Sequence, residues 1–207
     1  VFKNTVFVTV CTVFLSGTVS FFGAYGISHL KGKASDRFYI LFVLGQIIPF
    51  HTVMIPISIM ATKLNLNNTH LGLILFNSGF FTAFGIMTYV GFLKTVPREL
   101  EEAAAIDGAA PFRIMIQIVF PLVKSTSVTL GILFFLWTWN DLLLPNILIS
   151  DGNLRTITVN LYMFKSATNA QWNLLIAGLV VSMVPIIVIY IAGQKYITSG
   201  LTAGAIK

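Results

Sequence analysis

The chain has 207 residues, 56% of them apolar and only 10% charged, with a formal charge of +6. An ordinary soluble domain holds about 25% charged residues, so this chain cannot cover a water-facing surface, and its mean hydropathy of +0.87 makes lipid its main solvent. The basic residues are scattered through short loops and form no patch, which argues against nucleic acid as a partner, and the single Cys11 excludes an intrachain disulfide framework.

Five apolar runs reach the roughly 20 residues that a bilayer span requires. They lie near 5–29, 38–61, 71–94, 125–149 and 174–194, and predict an all-α, polytopic transmembrane helix bundle. Gly17, Gly23 and Gly26 in the first run predict a face for close helix packing. In the second, Pro49 and Pro56 around His51 predict a kink, as Pro185 does in the last. Membrane helices tolerate such prolines because neighbouring groups satisfy the freed carbonyls. His51 reads as one such neighbour, since no second His, Cys or acid lies at metal-ligand spacing. Asn67-Asn68-Thr69 fits a glycosylation sequon and otherwise reads as an inert polar turn.

Between the third and fourth runs lies a polar segment, 95–112. Pro97 suits the first turn of a helix, where its missing N–H is no loss. Glu99, Glu101 and Glu102 favour the positive end of the helix dipole. Ala103, Ala104 and Ala105 are strong helix formers of little bulk. Gly108 can end that helix in a left-handed conformation, and Pro111 can begin the next. Two short helices with a bend are predicted, lying along the membrane surface. Their small side chains let a partner's groove close on the backbone, Glu102 and Asp107 offer charge, and Pro121 marks re-entry toward the bilayer. The competing reading is an amphipathic helix resting on headgroups, but that kind is rich in Lys and Arg on its polar face, whereas this one starts acidic.

In the fourth run Asn140 and Asp141 stand out, because a carboxylate within hydrocarbon is costly unless it faces a cavity or a partner. They read either as residues of a translocation path or subunit interface, or as packing residues near the outer end of the helix, within reach of water. Trp137, Trp139 and Trp172 read as interface anchors or core. The 150–173 loop, with Asn153, Asn160, Asn169, Gln171 and Trp172, reads on its residues as a solvated connector.

Loop charge sets the orientation. Lys31, Lys33, Arg37, Lys94, Arg98, Arg113, Lys124, Lys195 and Lys207 fall on one side; Lys3, Lys63, Arg155 and Lys165 fall on the other. The positive-inside rule puts the 94–124 segment and the C-terminus in the cytoplasm. Five spans then place Val1 outside, which predicts a further helix ahead of it and six spans in the parent protein.

Glu102-Ala103-Ala104, Gly108 six residues after the Glu, and Ile118-Val119-Phe120-Pro121 resemble the EAA loop of permease subunits in binding-protein-dependent ABC importers. Phe120 stands where that pattern usually has Leu. Trp139-Asn140-Asp141-Leu142 with Leu144-Pro145, and the tail Gly200–Lys207, resemble the carbohydrate importers, in particular the G-type subunit of the maltose/oligosaccharide branch. The resemblance covers nearly the whole chain. It implies that residues 1–207 form one importer transmembrane domain in the bacterial plasma membrane. Within it, 95–112 is the coupling segment, and Glu102, Ala103, Ala104, Asp107 and Gly108, with Pro121 beyond it, are the ATPase-coupling residues. The implied partners are ATP-binding cassette ATPase subunits that hold ATP and Mg, a second permease forming a heterodimer, an extracytoplasmic solute-binding protein that meets the 150–173 loop, and a sugar substrate.

No G-x-x-x-x-G-K-[ST] motif is present for binding ATP phosphates, and no catalytic or zinc-type constellation presents itself. A self-contained secondary transporter or channel would explain the spans and Asp141, but it leaves the EAA pattern without a reason.

Overall fold

The computed structural model describes residues 1–30, 32–165 and 171–203, with side chains to Lys195 in the last helix. Lys31, Asn169 and the final Gly204–Lys207, which figure in the sequence reading, lie outside the described residues. No strand occurs among the described residues. The helices are α1 (Phe2–His29), α2 (Lys33–Ile47), α3 (Phe50–Lys63), α4 (His70–Leu93), α5 (Glu99–Ile106), α6 (Pro111–Ile114), α7 (Phe120–Leu122), α8 (Lys124–Trp139), α9 (Leu143–Leu148), α10 (Ile157–Met163) and α11 (Trp172–Ala203). A π-helical turn, Met115–Val119, joins α6 to α7, and a 3₁₀ turn, Gly152–Leu154, precedes α10.

Helices α1, α4 and α11 are each long and apolar enough to cross a membrane, and there are up to five spans if each bent pair, α2 with α3 and α6–α7 with α8, counts as one. The second expected run is therefore two helices rather than one kinked helix. Pro49 sits at the break in extended conformation (φ −66°, ψ 137°), while Pro56 stays inside α3. Pro56 lies past the first turn of α3 and removes one helical hydrogen bond without ending the helix, whereas extended Pro49 stands just before α3, at the break. His51 is exposed, its ring edge-on to Phe50, and does not make the expected bond to a freed carbonyl. The fourth run is helical only to Trp139, after which Asn140–Leu142 open the chain before α9. The last helix runs through Pro185 and beyond 194 to Ala203.

Two compact units are formed. One comprises Val1–Ser16, Ile48–Phe81 and Ile132–Ala192. Its core is Val8, Ile57, Ala61, Leu73, Ile74, Leu144, Leu148 and Ile149. The turn before α4 is built on Asn65 and Asn68, both at φ 54°. Asn68 Oδ1 accepts from the Ser150 N–H (2.7 Å), the Ser150 hydroxyl (3.0 Å) and the Asp151 N–H (3.0 Å). The expected inert turn is thus a clasp. Gly72 follows it so closely on the Leu66 carbonyl that a Cβ there would collide. The 150–165 stretch is likewise pinned rather than a solvated connector. Asn4 Nδ2 donates to the Asn153 and Arg155 carbonyls (2.7 and 3.1 Å), the Ile157 N–H donates to Thr5 Oγ1 (2.8 Å), and α10 buries Ile157, Val159 and Leu161.

The other unit comprises Gly17–Ile47, Thr82–Gly131 and the chain from Gly193. Here Phe21 lies edge-on to Tyr89 (5.6 Å) and Phe120 (5.2 Å), and Tyr89 donates to Ser127 Oγ at 2.8 Å. Val119 and Val123 are fully enclosed.

On α1 the glycines play a smaller part than expected. Only Gly23 abuts a neighbour, Ile86, while Gly17 and Gly26 have nothing near. The buried stripe is instead Thr5, Thr9, Thr12, Ser16 and Ser20, spaced three to four residues apart and each at most 1% exposed. Serine and threonine are among the small residues that membrane helix interfaces favour, so they serve close packing in place of glycine. On α11 an 18-residue apolar stretch has no residue buried by this chain, which leaves that surface to lipid or to another subunit.

Candidate coupling site

The polar segment folds as two short helices because its local signals agree. Helix α5 starts at Glu99, so Pro97 precedes the first turn instead of occupying it; the amides of Glu101 and Glu102 both donate to the Arg98 carbonyl at 3.0 Å. At the other end Gly108 adopts φ 82°. The Gly108 N–H donates to the Ala105 carbonyl and the Ala109 N–H to the Ala104 carbonyl, both at 3.0 Å. These two bonds form the Schellman closure, which needs a left-handed residue at this position. Ala110 is extended (φ −65°, ψ 149°), as the residue before a proline tends to be, and Pro111 opens α6. The α6–α7 stretch then bends by 77° into α8, with exposed Pro121 at the last turn before the break.

Helix α5 has two unlike faces. On one, Glu101 Oε2 accepts from the Tyr25 hydroxyl (2.7 Å) and contacts His29 Nε2 (3.0 Å), while His29 Nδ1 contacts the Tyr25 carbonyl (2.8 Å). The Tyr25 and His29 rings lie tilted against each other with centroids 4.1 Å apart, and Arg98 donates to the Ser28 carbonyl at 3.0 Å. Further along, Phe112 stacks on Phe22 of α1 with centroids 6.3 Å apart. On the other face Glu102, Ala103, Asp107 and Gly108 are exposed, and Ala104 is half-buried. Ile106 is 86% exposed, an unusual position for an isoleucine. Beside it lies an open concavity of about 300 Å³ whose lining includes Ala104, Asp107, Gly108, Arg113 and Gln117, with Arg113 Nε donating to Gln117 Oε1 at 2.8 Å.

Five of the six residues named from the sequence, Glu102, Ala103, Ala104, Asp107 and Gly108, thus lie on one segment, while Pro121 stands apart at the α7–α8 bend. Sequence reasoning gave Glu101 only a helix-dipole role and did not single out Ile106. Their signal was the helical wheel: Glu101 and Glu102 point about 100° apart, and Tyr25 and His29 stand one turn apart at the end of an apolar helix.

Asn140 and Asp141 lie elsewhere, in the unit that contains the Asn68 clasp. Asn140 is exposed, its Nδ2 donating to the Leu136 carbonyl (2.8 Å). Asp141 Oδ2 accepts from Asn77 Nδ2 (3.2 Å), Oδ1 accepts weakly from the Leu144 N–H (3.4 Å), and its carbonyl accepts from the Thr158 hydroxyl (2.7 Å). Trp139 is core, donating from Nε1 to the Ser182 carbonyl at 3.1 Å, whereas Trp137 and Trp172 are exposed. Among the described residues no group of three or more His, Cys, Asp or Glu could hold a metal ion.

The model of the family described as "Binding-protein-dependent transport system inner membrane component" matches residues 6–202. The chain is 36% identical over 206 residues to the probable starch degradation products transport system permease protein AmyC of Thermoanaerobacterium thermosulfurigenes, covering all of this chain and 75% of that one. It is 32% identical over 207 residues to the melibiose/raffinose/stachyose import permease protein MelC of Bacillus subtilis, again covering all of this chain and 75% of the relative. A chain of a bacterial ABC transporter involved in the import of the acidic polysaccharide alginate superposes with a TM-score of 0.78 at 25% identity, over 94% of this chain and 73% of that one. With the all-helical fold and a family match over nearly its full length, this chain belongs to the family of binding-protein-dependent transport system inner membrane components.

Proposed function

We propose that this chain is the permease subunit through which an ABC importer passes a sugar or oligosaccharide, delivered by an extracytoplasmic solute-binding protein, across the bacterial plasma membrane. In this reading ATP and Mg are held by separate ATP-binding cassette subunits docked at 95–112, and the chain itself supplies no catalytic group. A second permease completes a heterodimer, and the coupling segment and C-terminus face the cytoplasm. The carrying observation is the two-faced α5: Glu101 fastens one side to α1, leaving Glu102, Ala103, Ile106 and Gly108 outward for a partner. The names of AmyC and MelC, which refer to starch products and to small oligosaccharides, support the solute class.

Closure of the ATPase pair moves α5 as a lever and opens the permease pair outward; hydrolysis resets it. Asn140, being exposed, is the better candidate of the pair for the path or the subunit interface. Asp141, with both oxygens engaged inside the chain, acts as a strut for the turn between α8 and α9.

The test is purification of the tagged protein from its own cell in mild detergent, with mass spectrometry of what accompanies it. An ATPase and a second permease should co-purify, and Glu102→Ala or Gly108→Asp should lose the ATPase while membrane insertion persists. Wild-type coupled transport by either variant contradicts the docking role.

A further inference from the structure

We infer that Glu101, Tyr25 and His29 form a positioning latch that makes α5 and the last turns of α1 one mechanical piece, so that α1 is the span that takes up the motion of the docked ATPase. The inference rests on the coupling reading above and adds the element that receives the motion. A docking helix transmits force only if its non-docking side is anchored. Of the three acids in the first turn of α5, Glu99 and Glu102 are exposed, whereas Glu101 is 17% exposed and takes two donors from α1 on the same oxygen. Those donors lie one helical turn apart on α1, which fixes the direction of α5 as well as its distance. The Arg98 contact to the Ser28 carbonyl and the Phe22–Phe112 stack extend the fastening to both sides of the latch. The latch borders a cavity of about 300 Å³ between α1, α2, α4 and α5, so water can reach its polar groups.

The experiment compares the purified, reconstituted complex carrying wild type, Glu101→Ala, Glu101→Gln, Tyr25→Phe or His29→Gln, reading ATPase retention, ATP hydrolysed and solute imported. In Glu101→Ala, ATPase retention and hydrolysis should persist while ATP spent per solute rises about tenfold, the factor that losing a bond to a charged group makes in an equilibrium. Glu101→Gln, which still accepts both donors, should recover most of the coupling. His29→Gln, which keeps one donor toward Glu101, should lie between wild type and Glu101→Ala. Normal coupling in Glu101→Ala, or a Gln variant no better than Ala, overturns the latch. If Glu101→Ala does not assemble, Tyr25→Phe decides, and wild-type coupling there overturns it equally. Failure of the wild-type chain to retain any ATPase refutes instead the docking reading on which the latch rests.

Discussion

Gly108 gives the sharpest test of why the coupling segment has its shape. A Cβ at this position would meet nothing within 4 Å, so Gly108→Ala introduces no clash, and its whole effect comes from φ 82°. Holding a non-glycine residue left-handed costs about 1–2 kcal/mol, which raises the open population of the closure roughly 5–30-fold. The Ala109 amide, bonded to the Ala104 carbonyl at 3.0 Å, reports that opening directly. Hydrogen exchange on the detergent-solubilised protein should show this amide exchanging faster by that factor in Gly108→Ala. In Gly108→Asn the increase should be several-fold smaller, because Asn tolerates the left-handed region. Wild-type exchange in the alanine variant, or an asparagine variant as fast as alanine, refutes the backbone explanation.

Three further substitutions test the other contacts. Asn68→Ala removes the acceptor of three bonds and places alanine at positive φ; because the site is exposed, the loss should be about 1–2 kcal/mol, read as a lower thermal midpoint in detergent. Gly72→Ala drives a methyl into the Leu66 carbonyl and should cost roughly 1–3 kcal/mol in the same assay. Asp141→Asn should lower thermal stability while leaving solute selectivity unchanged; altered selectivity would move Asp141 from the strut to the path.

The class of the fold was legible because a long, uncharged apolar helix needs lipid, and α1 and α4 fall within three residues of the expected runs. The bent shape of the 95–112 segment was legible because Gly108 and Pro111 act through their own backbone geometry, which depends on no distant residue. Where two helices meet, the sequence misled. Glycine spacing on α1 suggested a glycine seam, yet the buried face carries threonine and serine, since facing direction depends on neighbours that local pattern does not reveal. Asn68 looked inert because its three donors lie more than 80 residues away. Glu101 was read only as a helix-dipole acid because the motif marks the outward Glu102, and the wheel that turns Glu101 away from it does not say which helix lies on that side.

The most direct measurement of the importer function is uptake of labelled oligosaccharides into vesicles reconstituted with the native complex. Uptake that requires ATP on the ATPase side and solute-binding protein on the other, and that fails with Glu102→Ala, is the expected result. Uptake driven by an ion gradient in vesicles lacking any ATPase would contradict it.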